Sequence, residues 1–505
     1  MTDQYSKSAV KVSLIHFIFG KALNAIASLL TLVLLARWFP PQDYGVYITF
    51  LALQSTLLAV SSLGIDTTAE RFLPELRISY ADKELLGFVA ASMMARFGSL
   101  ILVALIGWFA AHSITNLVGI GIQVDAFKLW LLVIVLTGIL SLSVVLLEAM
   151  LYQRQAQLCM SVYVVAKLLL LVLTKLYLVL DIVNLIQIEL ISTAIAAIVG
   201  VRLLFQRYSV SGLNQGWQVL LQNQRRIKRF AFFNYIAQIA FQLFNAEVMK
   251  VLVTRLLGVL QIARYGFAYS LADTVQRYLP AVLLLRLIKP VFVSRYTKTG
   301  DSSQLNEMAR IILKLNLLTL IPIIAISAAF GADLLSILSN GKYADAHWLL
   351  VGVLTLLILS SHQLVLSLLA STLEKNSMQL YAGLASTVGF PCALYFIPNI
   401  GAYGAIVASA VSGVVYNIFA TIYLRRTGFN YQPDVRGAAV FFVAGAIMYG
   451  TLMLIQHYLP RVIGVAVALV LSSIAYLVIV RVMSAFSNAE RDLLNSVLPK
   501  RIFIF

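Results

Sequence analysis

Basic side chains lie inside apolar stretches of this chain that are long enough to cross a bilayer. Lys21, Arg96, Lys167 and Arg277 fall near the middle of such stretches. A charge at that depth is costly, so it is expected to face a partner or an aqueous cavity. A lysine ammonium attracts phosphate as a point charge, and an arginine guanidinium adds a forked pair of hydrogen bonds. The pattern therefore predicts the binding of an anion.

Acidic residues at similar depth can neutralise some of these cations. Asp273 and Arg277 are four residues apart on one helix face, so they can pair with each other. Glu247 and Lys250 are three apart, and this spacing favours a structural ion pair over a binding site. Basic residues outnumber acids in these stretches, so some cations are left for a ligand.

A stripe of amides follows a basic run near the middle of the chain. Asn234, Gln238, Gln242 and Asn245 recur at steps of four, four and three, which places them on one helix face. Amides facing lipid are costly, so this face is expected to be covered. Their donors and acceptors match sugar hydroxyls, although hydrogen bonding between helices is an open alternative.

Three lysines have no acid on their own predicted helix, namely Lys21, Lys167 and Lys175. An anionic ligand is therefore a favoured partner for each of them. Asn24 follows Lys21 by about one helical turn. The predicted substrate-binding residues are Lys21, Asn24, Arg96, Lys167, Lys175, Asn234, Gln238, Gln242, Asn245, Asp273 and Arg277.

The composition is that of a polytopic membrane protein with an all-α fold. Of the 505 residues, 61% are hydrophobic and 12% are charged, whereas soluble domains are usually about half apolar and a quarter charged. The net charge of +17 is attributed to basic cytoplasmic loops beside an anionic leaflet rather than to nucleic-acid binding. Both cysteines lie in apolar runs, which argues against a disulfide framework or a metal cluster.

About 14 transmembrane helices are predicted, each near the length that crosses a bilayer. Their limits are 12–36, 44–64, 85–111, 128–150, 158–180, 182–204, 230–254, 262–288, 307–331, 346–370, 376–397, 401–424, 436–458 and 461–483. With the N-terminus inside, about four times as many basic residues fall in cytoplasmic segments as in outer ones. Both termini are therefore predicted to be cytoplasmic.

An internal repeat begins after the sixth span. Residues 230–290, like the first seventy, contain a helix with polar side chains on one face and a second apolar helix, and a basic segment leads into the first helix of each copy. We predict an N-terminal lobe at 1–204 (helices 1–6), a cytoplasmic linker at 205–229 and a C-terminal lobe at 230–424 (helices 7–12). Six spans return the chain to its starting side, so the lobes are parallel repeats. Residues 425–505 add helices 13 and 14 and an amphipathic tail.

Enzyme signatures are absent, so neither catalysis nor a cofactor is expected. Neither glycine–lysine pair, at Lys21 or Lys342, completes a phosphate-binding loop, and the histidines show no zinc spacing. A membrane glycosyltransferase or polymerase would need acids at a membrane face. Asp66 and Glu70 form the one cluster of that kind, and packing against Arg71 is favoured for them.

Four stretches resemble the polysaccharide flippases of the multidrug/oligosaccharidyl-lipid/polysaccharide exporter superfamily. They are residues 37–47 (RWFPPQDYGVY), 63–75 (LGIDTTAERFLPE), 334–346 (LLSILSNGKYADA) and 397–405 (IPNIGAYGA). The resemblance covers almost the whole chain. It implies a two-lobed bundle around a central cavity, with helices 1, 2, 7 and 8 at the front.

The resemblance also implies a function: export of an undecaprenyl-pyrophosphate-linked oligosaccharide across the bacterial cytoplasmic (inner) membrane by alternating access. Such units serve O-antigen, lipopolysaccharide or exopolysaccharide synthesis. The implied partners are the anionic lipid-linked oligosaccharide, membrane lipids, polysaccharide polymerase machinery and a coupling ion, H⁺ or Na⁺. The sugars and the choice of ion are not specified by any residue pattern.

Two alternatives come from the same superfamily. A lipid II flippase would carry an arginine-rich front on helices 1 and 2, whereas helix 1 here offers Lys21 and Asn24. A drug or cation antiporter would use membrane-embedded acids, which the excess of cations disfavours. The alternative from another class is an integral-membrane glycosyltransferase or polymerase.

Overall fold

The fold was obtained as a computed structural model, which describes residues 7–79, 82–206, 213–242, 245–280, 282, 302–373, 375, 377–458 and 461–497. Within these residues every regular element is an α-helix or a short 3-10 helix, and there is no strand. The all-α, polytopic fold class is therefore confirmed. The chain divides into two compact units, Met1–Ala263 and Arg264–Phe505.

Helices of the first unit follow one another with short connections. In chain order they are α1 Lys7–Trp38, α2 Pro41–Val60, α3 Ile65–Ser79, α4 Asp82–Phe109, α5 Ala111–Val118, α6 Val124–Ala149, α7 Gln153–Tyr177, α8 Ile182–Phe205, α9 Leu213–Gln242 and α10 Ala246–Leu257. The next helix, α11 Val259–Arg277, begins in this unit. The apolar core gathers buried side chains from α3, α4, α6, α7 and α8, with Ile227 of α9 added at its edge.

The second unit continues from α11. Its described helices are α12 Ser302–Ser339, α13 His347–Thr372, α14 Ser377–Ala385, α15 Gly389–Ile400, α16 Ala402–Arg426, α17 Val435–Tyr458, α18 Arg461–Val482 and α19 Asn488–Val497. One apolar cluster joins α12, α13 and α16, and a second joins α12, α17 and α18.

Most predicted spans coincide with helices. Among the described residues, 10 helical segments are long and apolar enough to cross a membrane, and Leu23–Trp38 and Val467–Val482 are shorter apolar helices. The seventh predicted span is divided between α9 and α10. Asn245 lies at this division, where its side-chain oxygen accepts hydrogen bonds from the backbone of Glu247 at 3.0 Å and Val248 at 3.2 Å. Asn245 is therefore the N-cap of α10, because its carboxamide satisfies free N–H groups there.

Much of the predicted linker is helical, since α9 runs without a break from Leu213 to Gln242. Glutamine, leucine, arginine and lysine after Gly216 are good helix formers, and neither glycine nor proline interrupts them. Arg226 donates hydrogen bonds to Glu75 of α3 over 2.6 and 3.2 Å, and these lower the pKa of the exposed Glu75 carboxyl. The division into two six-helix lobes around this segment stays a prediction.

The short C-terminal helix α19 is tied to the second unit by a buried cation. Lys314 of α12 is 2% exposed, and its Nζ lies 2.7 Å from Glu490 Oε2 and 2.6 Å from Asp434 Oδ2. Burial opposes ionisation of Asp434, but the N–H of Gly437 and the Lys314 ammonium outweigh it and lower the pKa of that carboxyl. The location of the tail at a membrane surface stays a prediction.

A tight turn joins α2 to α3 and ends at Gly64, whose φ of 70° is left-handed. Two helices hold this turn. The Ser99 hydroxyl of α4 donates to the Ser61 carbonyl over 2.6 Å, and the Tyr235 hydroxyl of α9 donates to the Val60 carbonyl over 2.7 Å. The start of α3 is thereby fixed against α4 and α9.

Gly64→Ala is expected to destabilise the protein. An alanine would have to adopt the left-handed backbone, which costs about 1–2 kcal/mol, and its Cβ would lie 2.4 Å from the Ala231 carbonyl oxygen. The thermal midpoint (Tm) of the purified protein should fall. Gly98→Ala on α4 is the control, because no atom lies within 4 Å of the added Cβ. Equal Tm values for the two variants would contradict this role for Gly64.

Candidate substrate-binding cavity

A polar cavity of about 320 Å³ lies within the first unit. Five helices contribute to its wall: α2, α3, α4, α6 and α9. The lining residues are Leu51, Gln54, Ser55, Leu58, Ala59, Asp66, Arg96, Ser141 and Gln238. The volume is near the lower end of the ~300–1,000 Å³ typical of ligand sites.

Arg96 is the cation of this cavity and is only 2% exposed. Its Nη2 donates to the Leu58 carbonyl over 3.2 Å and lies 3.8 Å from Asp66 Oδ2. Its Nε and Nη1 have no hydrogen-bond partner among the described residues. Unsatisfied donors on a buried charge are costly, so this guanidinium is suited to an anionic or hydroxyl-rich ligand.

Three of the other polar side chains that line the cavity with Arg96 carry amide or carboxylate groups. Gln54 Oε1 and Asp66 Oδ1 are buried without a hydrogen-bond partner among the described residues. Gln238 Oε1 accepts a hydrogen bond from the Ser62 hydroxyl at 3.0 Å, which orients its carboxamide. These groups could accept hydrogen bonds from sugar hydroxyls beside the cation.

Asp66 lies at the start of α3, outside the candidate spans. Burial raises the pKa of its carboxyl, and the nearby Arg96 offsets part of this rise. The sequence favoured packing of Asp66 against Arg71, but the structure pairs Arg71 with Glu75 at 2.9 Å. Residues four apart on one helix form that pair readily, which leaves Asp66 to face α4.

Lys167 has a buried network of its own between α2, α7 and α8. Its ammonium forms an ion pair with Glu189 and donates to the Tyr47 hydroxyl over 2.7 Å. Tyr47 donates to Glu189 Oε1 over 2.6 Å, and Tyr163 donates to Oε2 over 2.8 Å. The sequence showed no acid on the helix of Lys167, and the structure supplies one from the neighbouring helix.

The two remaining lysines of the predicted set have no described side-chain contact with the cavity. Lys175 is exposed in the last turn of α7. Lys21 belongs to α1, and its side chain lies outside the described part of the structure.

The predicted amides have separate surroundings. Asn24 Nδ2 lies 3.5 Å from Gln157 Oε1, a long contact, while its own Oδ1 is buried without a partner among the described residues. Asn234 donates to the Phe230 carbonyl one turn earlier over 2.9 Å. The Gln242 side chain lies outside the described residues. Of the described side chains in the stripe, Gln238 is the one that lines the cavity.

Both ion pairs expected from spacing are formed. Arg277 Nη2 lies 2.7 Å from Asp273 Oδ2 on α11, and Lys250 Nζ lies 2.8 Å from Glu247 Oε1 on α10. The Arg277 side chain is 67% exposed, so this pair contributes little to stability. In the described ranges, no three His, Cys, Asp or Glu side chains converge as ligands for a metal ion.

Sequence reasoning did not select Gln54 or Asp66 as binding residues. Gln54 is the one amide in the predicted span 44–64, and this was the available signal. Asp66 belongs to the stretch 63–75 that carried the family resemblance, but its own helix offered Arg71 as a nearer partner.

A comparison with known protein families shows to which family the chain belongs. The family profile described as "Polysaccharide biosynthesis protein" matches residues 12–295, which is more than half of the 505 residues. The chain belongs to this family. All residues that line the cavity fall within the matched range. No curated protein matches the chain significantly.

Solved structures share the fold of this family member. Lipid II flippase MurJ in an inward closed conformation aligns with a TM-score of 0.75 and 14% identity, over 95% of this chain and 100% of that one. An inward-facing multidrug resistance MATE family transporter of the MOP superfamily aligns with a TM-score of 0.65 and 13% identity, over 80% of this chain and 96% of that one. The Vibrio cholerae MATE transporter VcmN, as an aspartate-to-asparagine mutant, aligns with a TM-score of 0.58 and 16% identity, over 84% of this chain and 99% of that one. The family match confirms the resemblance at the level of polysaccharide biosynthesis proteins, and the solved structures confirm the expected fold.

Proposed function

We propose that the protein transfers an undecaprenyl-pyrophosphate-linked oligosaccharide from the inner to the outer leaflet of a bacterial cytoplasmic membrane. The observation that carries this proposal is Arg96, a buried cation at a polar cavity whose Nε and Nη1 donors have no partner among the described residues. The chain that holds it belongs to the polysaccharide biosynthesis protein family. The multi-pass helical fold is shared with membrane flippases and transporters.

The physical task of such a protein is to carry a charged, hydroxyl-rich head group past hydrocarbon. Moving an unpaired phosphate out of water is costly, so the protein must replace its hydration. Arg96 offers positive charge and N–H donors, while Gln54 and Gln238 offer amide contacts to sugar hydroxyls. The lipid tail stays in the bilayer, and alternating access of the two predicted lobes completes the transfer.

The wider predicted set gives further contacts on this route. Lys21, Lys175, Gln242 and Arg277 are proposed to meet the head group at other stages of transfer. The carboxamide oxygen of Asn24, which has no partner among the described residues, is proposed to accept a hydrogen bond from a hydroxyl donor. The proposed orientation keeps both termini in the cytoplasm, as the excess of basic residues in the inner segments favours. Polymerase machinery is the proposed recipient of the exported unit.

Deletion of the gene tests the proposed function. The lipid-linked oligosaccharide should accumulate in the membrane, and surface polysaccharide should be lost, because synthesis continues on the inner side without transfer. Mass spectrometry of extracted lipids measures the accumulated species and its sugars. Accumulation of lipid II alone would identify a peptidoglycan precursor as substrate and contradict the proposal. A strain that loses the lipid-linked intermediate itself would indicate a synthetic enzyme.

A further inference from the structure

Asp66 and Arg96 face each other in the cavity, but neither satisfies the hydrogen-bonding groups of the other. Asp66 Oδ2 is 3.8 Å from Arg96 Nη2, whereas a charge-assisted hydrogen bond of this kind is about 2.7–2.9 Å long. Asp66 Oδ1 and Arg96 Nε and Nη1 are buried without partners among the described residues. Both groups line the same cavity, so both can exchange this loose pair for another partner.

Arg96 is the one cation that contacts Asp66 in the described part of the first unit. On α3 itself, Arg71 pairs with Glu75, and Arg77 of the last turn donates to the Met150 carbonyl.

Among the described residues, the other helices packed against α3 supply no second cation to the cavity lining. Basic residues of α9 lie at least two turns before Gln238, and Arg226 there is paired with Glu75. On α6, Glu148 lies two turns beyond the cavity residue Ser141. The lining residues of α2 are uncharged. Glu70 follows Asp66 by one turn of α3 but does not line the cavity. Asp66 and Arg96 are therefore the charged groups among the described residues that line the cavity.

We propose that an anionic group of the substrate displaces Asp66 from Arg96, and that Asp66 then takes up a proton from water. The proposal rests on the proposed function for the identity of the natural ligand. An anion bound beside ionised Asp66 would place like charges together with one cation between them. Protonation of Asp66 removes this repulsion and leaves Arg96 to the anion. Anion binding and proton uptake are therefore linked at one site.

The direction of the pH dependence follows from this linkage. Loss of Arg96 and arrival of an anion both raise the pKa of Asp66 above its value in the free protein. The complex therefore holds more protons than the free protein between those two pKa values. Anion affinity is highest below the pKa of free Asp66 and falls as the pH rises through that window. It becomes constant above the pKa of Asp66 in the complex.

Two parts of a lipid-linked oligosaccharide could supply the anion: a phosphate of the carrier or the carboxylate of an acidic sugar. Sulfate serves as a tetrahedral probe for the first, and glucuronate as a carboxylate probe for the second. Neither changes charge above about pH 5, so any pH dependence comes from the protein. Tighter binding of one probe at equal ionic strength identifies the chemistry that the cavity prefers.

The experiment measures the Tm of the purified full-length protein against probe concentration at about pH 5 and about pH 8, because a ligand of the native state raises the Tm according to its Kd. Wild-type protein should bind more weakly at the higher pH. Asp66→Asn should bind the probe equally at both pH values. At the higher pH it should bind about tenfold more tightly than wild type, because it removes a charge repulsion equivalent to about one pKa unit, which is a tenfold change in affinity. Asp125→Asn is the matched control, because its carboxylate is 98% exposed.

Unchanged affinity and unchanged pH dependence in Asp66→Asn would overturn the proposal. Absence of saturable binding to the wild-type protein by either probe would also overturn it. Arg96→Gln should abolish binding, and retained binding in that variant would place the anion elsewhere. Since purified protein and soluble probes are used, each of these failures leaves the accumulation of lipid-linked intermediates in the deletion strain as a separate test of function.

Discussion

Arg96→Gln is expected to insert into the membrane normally and to lose export of surface polysaccharide. Glutamine keeps a polar side chain in the cavity but removes the charge and most of the N–H donors. A hydrogen bond to a charged group contributes about 1.5–3 kcal/mol, which corresponds to about a 10- to 150-fold loss of head-group affinity. Export is measured in the deletion strain complemented with each variant at equal membrane abundance.

Two further variants control this result. Arg96→Lys keeps the charge without the forked geometry, so its export should fall between wild type and Arg96→Gln. Arg255→Gln changes an exposed arginine of the same unit and should export normally. Full export by Arg96→Gln at normal abundance would contradict a role for the cavity in transport.

Lys167→Met is expected to destabilise the protein by about 3–5 kcal/mol, because it leaves Glu189 buried without its cation. Glu189→Gln should also lower the Tm, since it leaves the Lys167 ammonium uncompensated. The double variant Lys167→Met, Glu189→Met should recover most of the loss, because replacing a whole buried pair by apolar side chains is often neutral or stabilising. Thermal unfolding of the purified proteins measures all three.

The same double variant tests the predicted substrate role of Lys167. If Lys167 meets the substrate, a stably inserted double variant should fail to export, and normal export would assign the lysine to the fold alone. If the double variant is no more stable than the single variants, Lys167 and Glu189 do not stabilise the fold as an ion pair, which would contradict the prediction. Lys128→Met provides a control at a half-buried lysine, whose partner Asp125 lies in solvent.

Much of the fold could be predicted from the sequence, because span length and apolar content depend on local composition. The break between α9 and α10 was missed, since the amides there keep a helical spacing across residues 243–245. Asn245 occupies the last position of the stripe and yet caps the following helix. Periodicity does not distinguish an amide on a helix face from an amide at a helix end.

The candidate site was predictable in part. The depth of Arg96 in an apolar span is visible in the sequence, and the structure shows that its side chain is buried. Its neighbours Gln54, Asp66 and Gln238 come from three other helices, and spacing along the chain cannot show such contacts. Glu189 likewise meets Lys167 across a helix boundary. Spacing did predict both local pairs, Asp273 with Arg277 and Glu247 with Lys250.

The most direct test of transfer between leaflets is the location of the lipid-linked oligosaccharide in the membrane. Spheroplasts of the deletion strain, complemented with wild type or Arg96→Gln, are treated with a sugar-oxidising reagent that does not cross the membrane, before or after lysis. We predict that the intermediate in the deletion and Arg96→Gln strains reacts only after lysis, whereas wild type restores a fraction that reacts in intact spheroplasts. An intermediate that is equally accessible from outside in the deletion strain would contradict the proposed function.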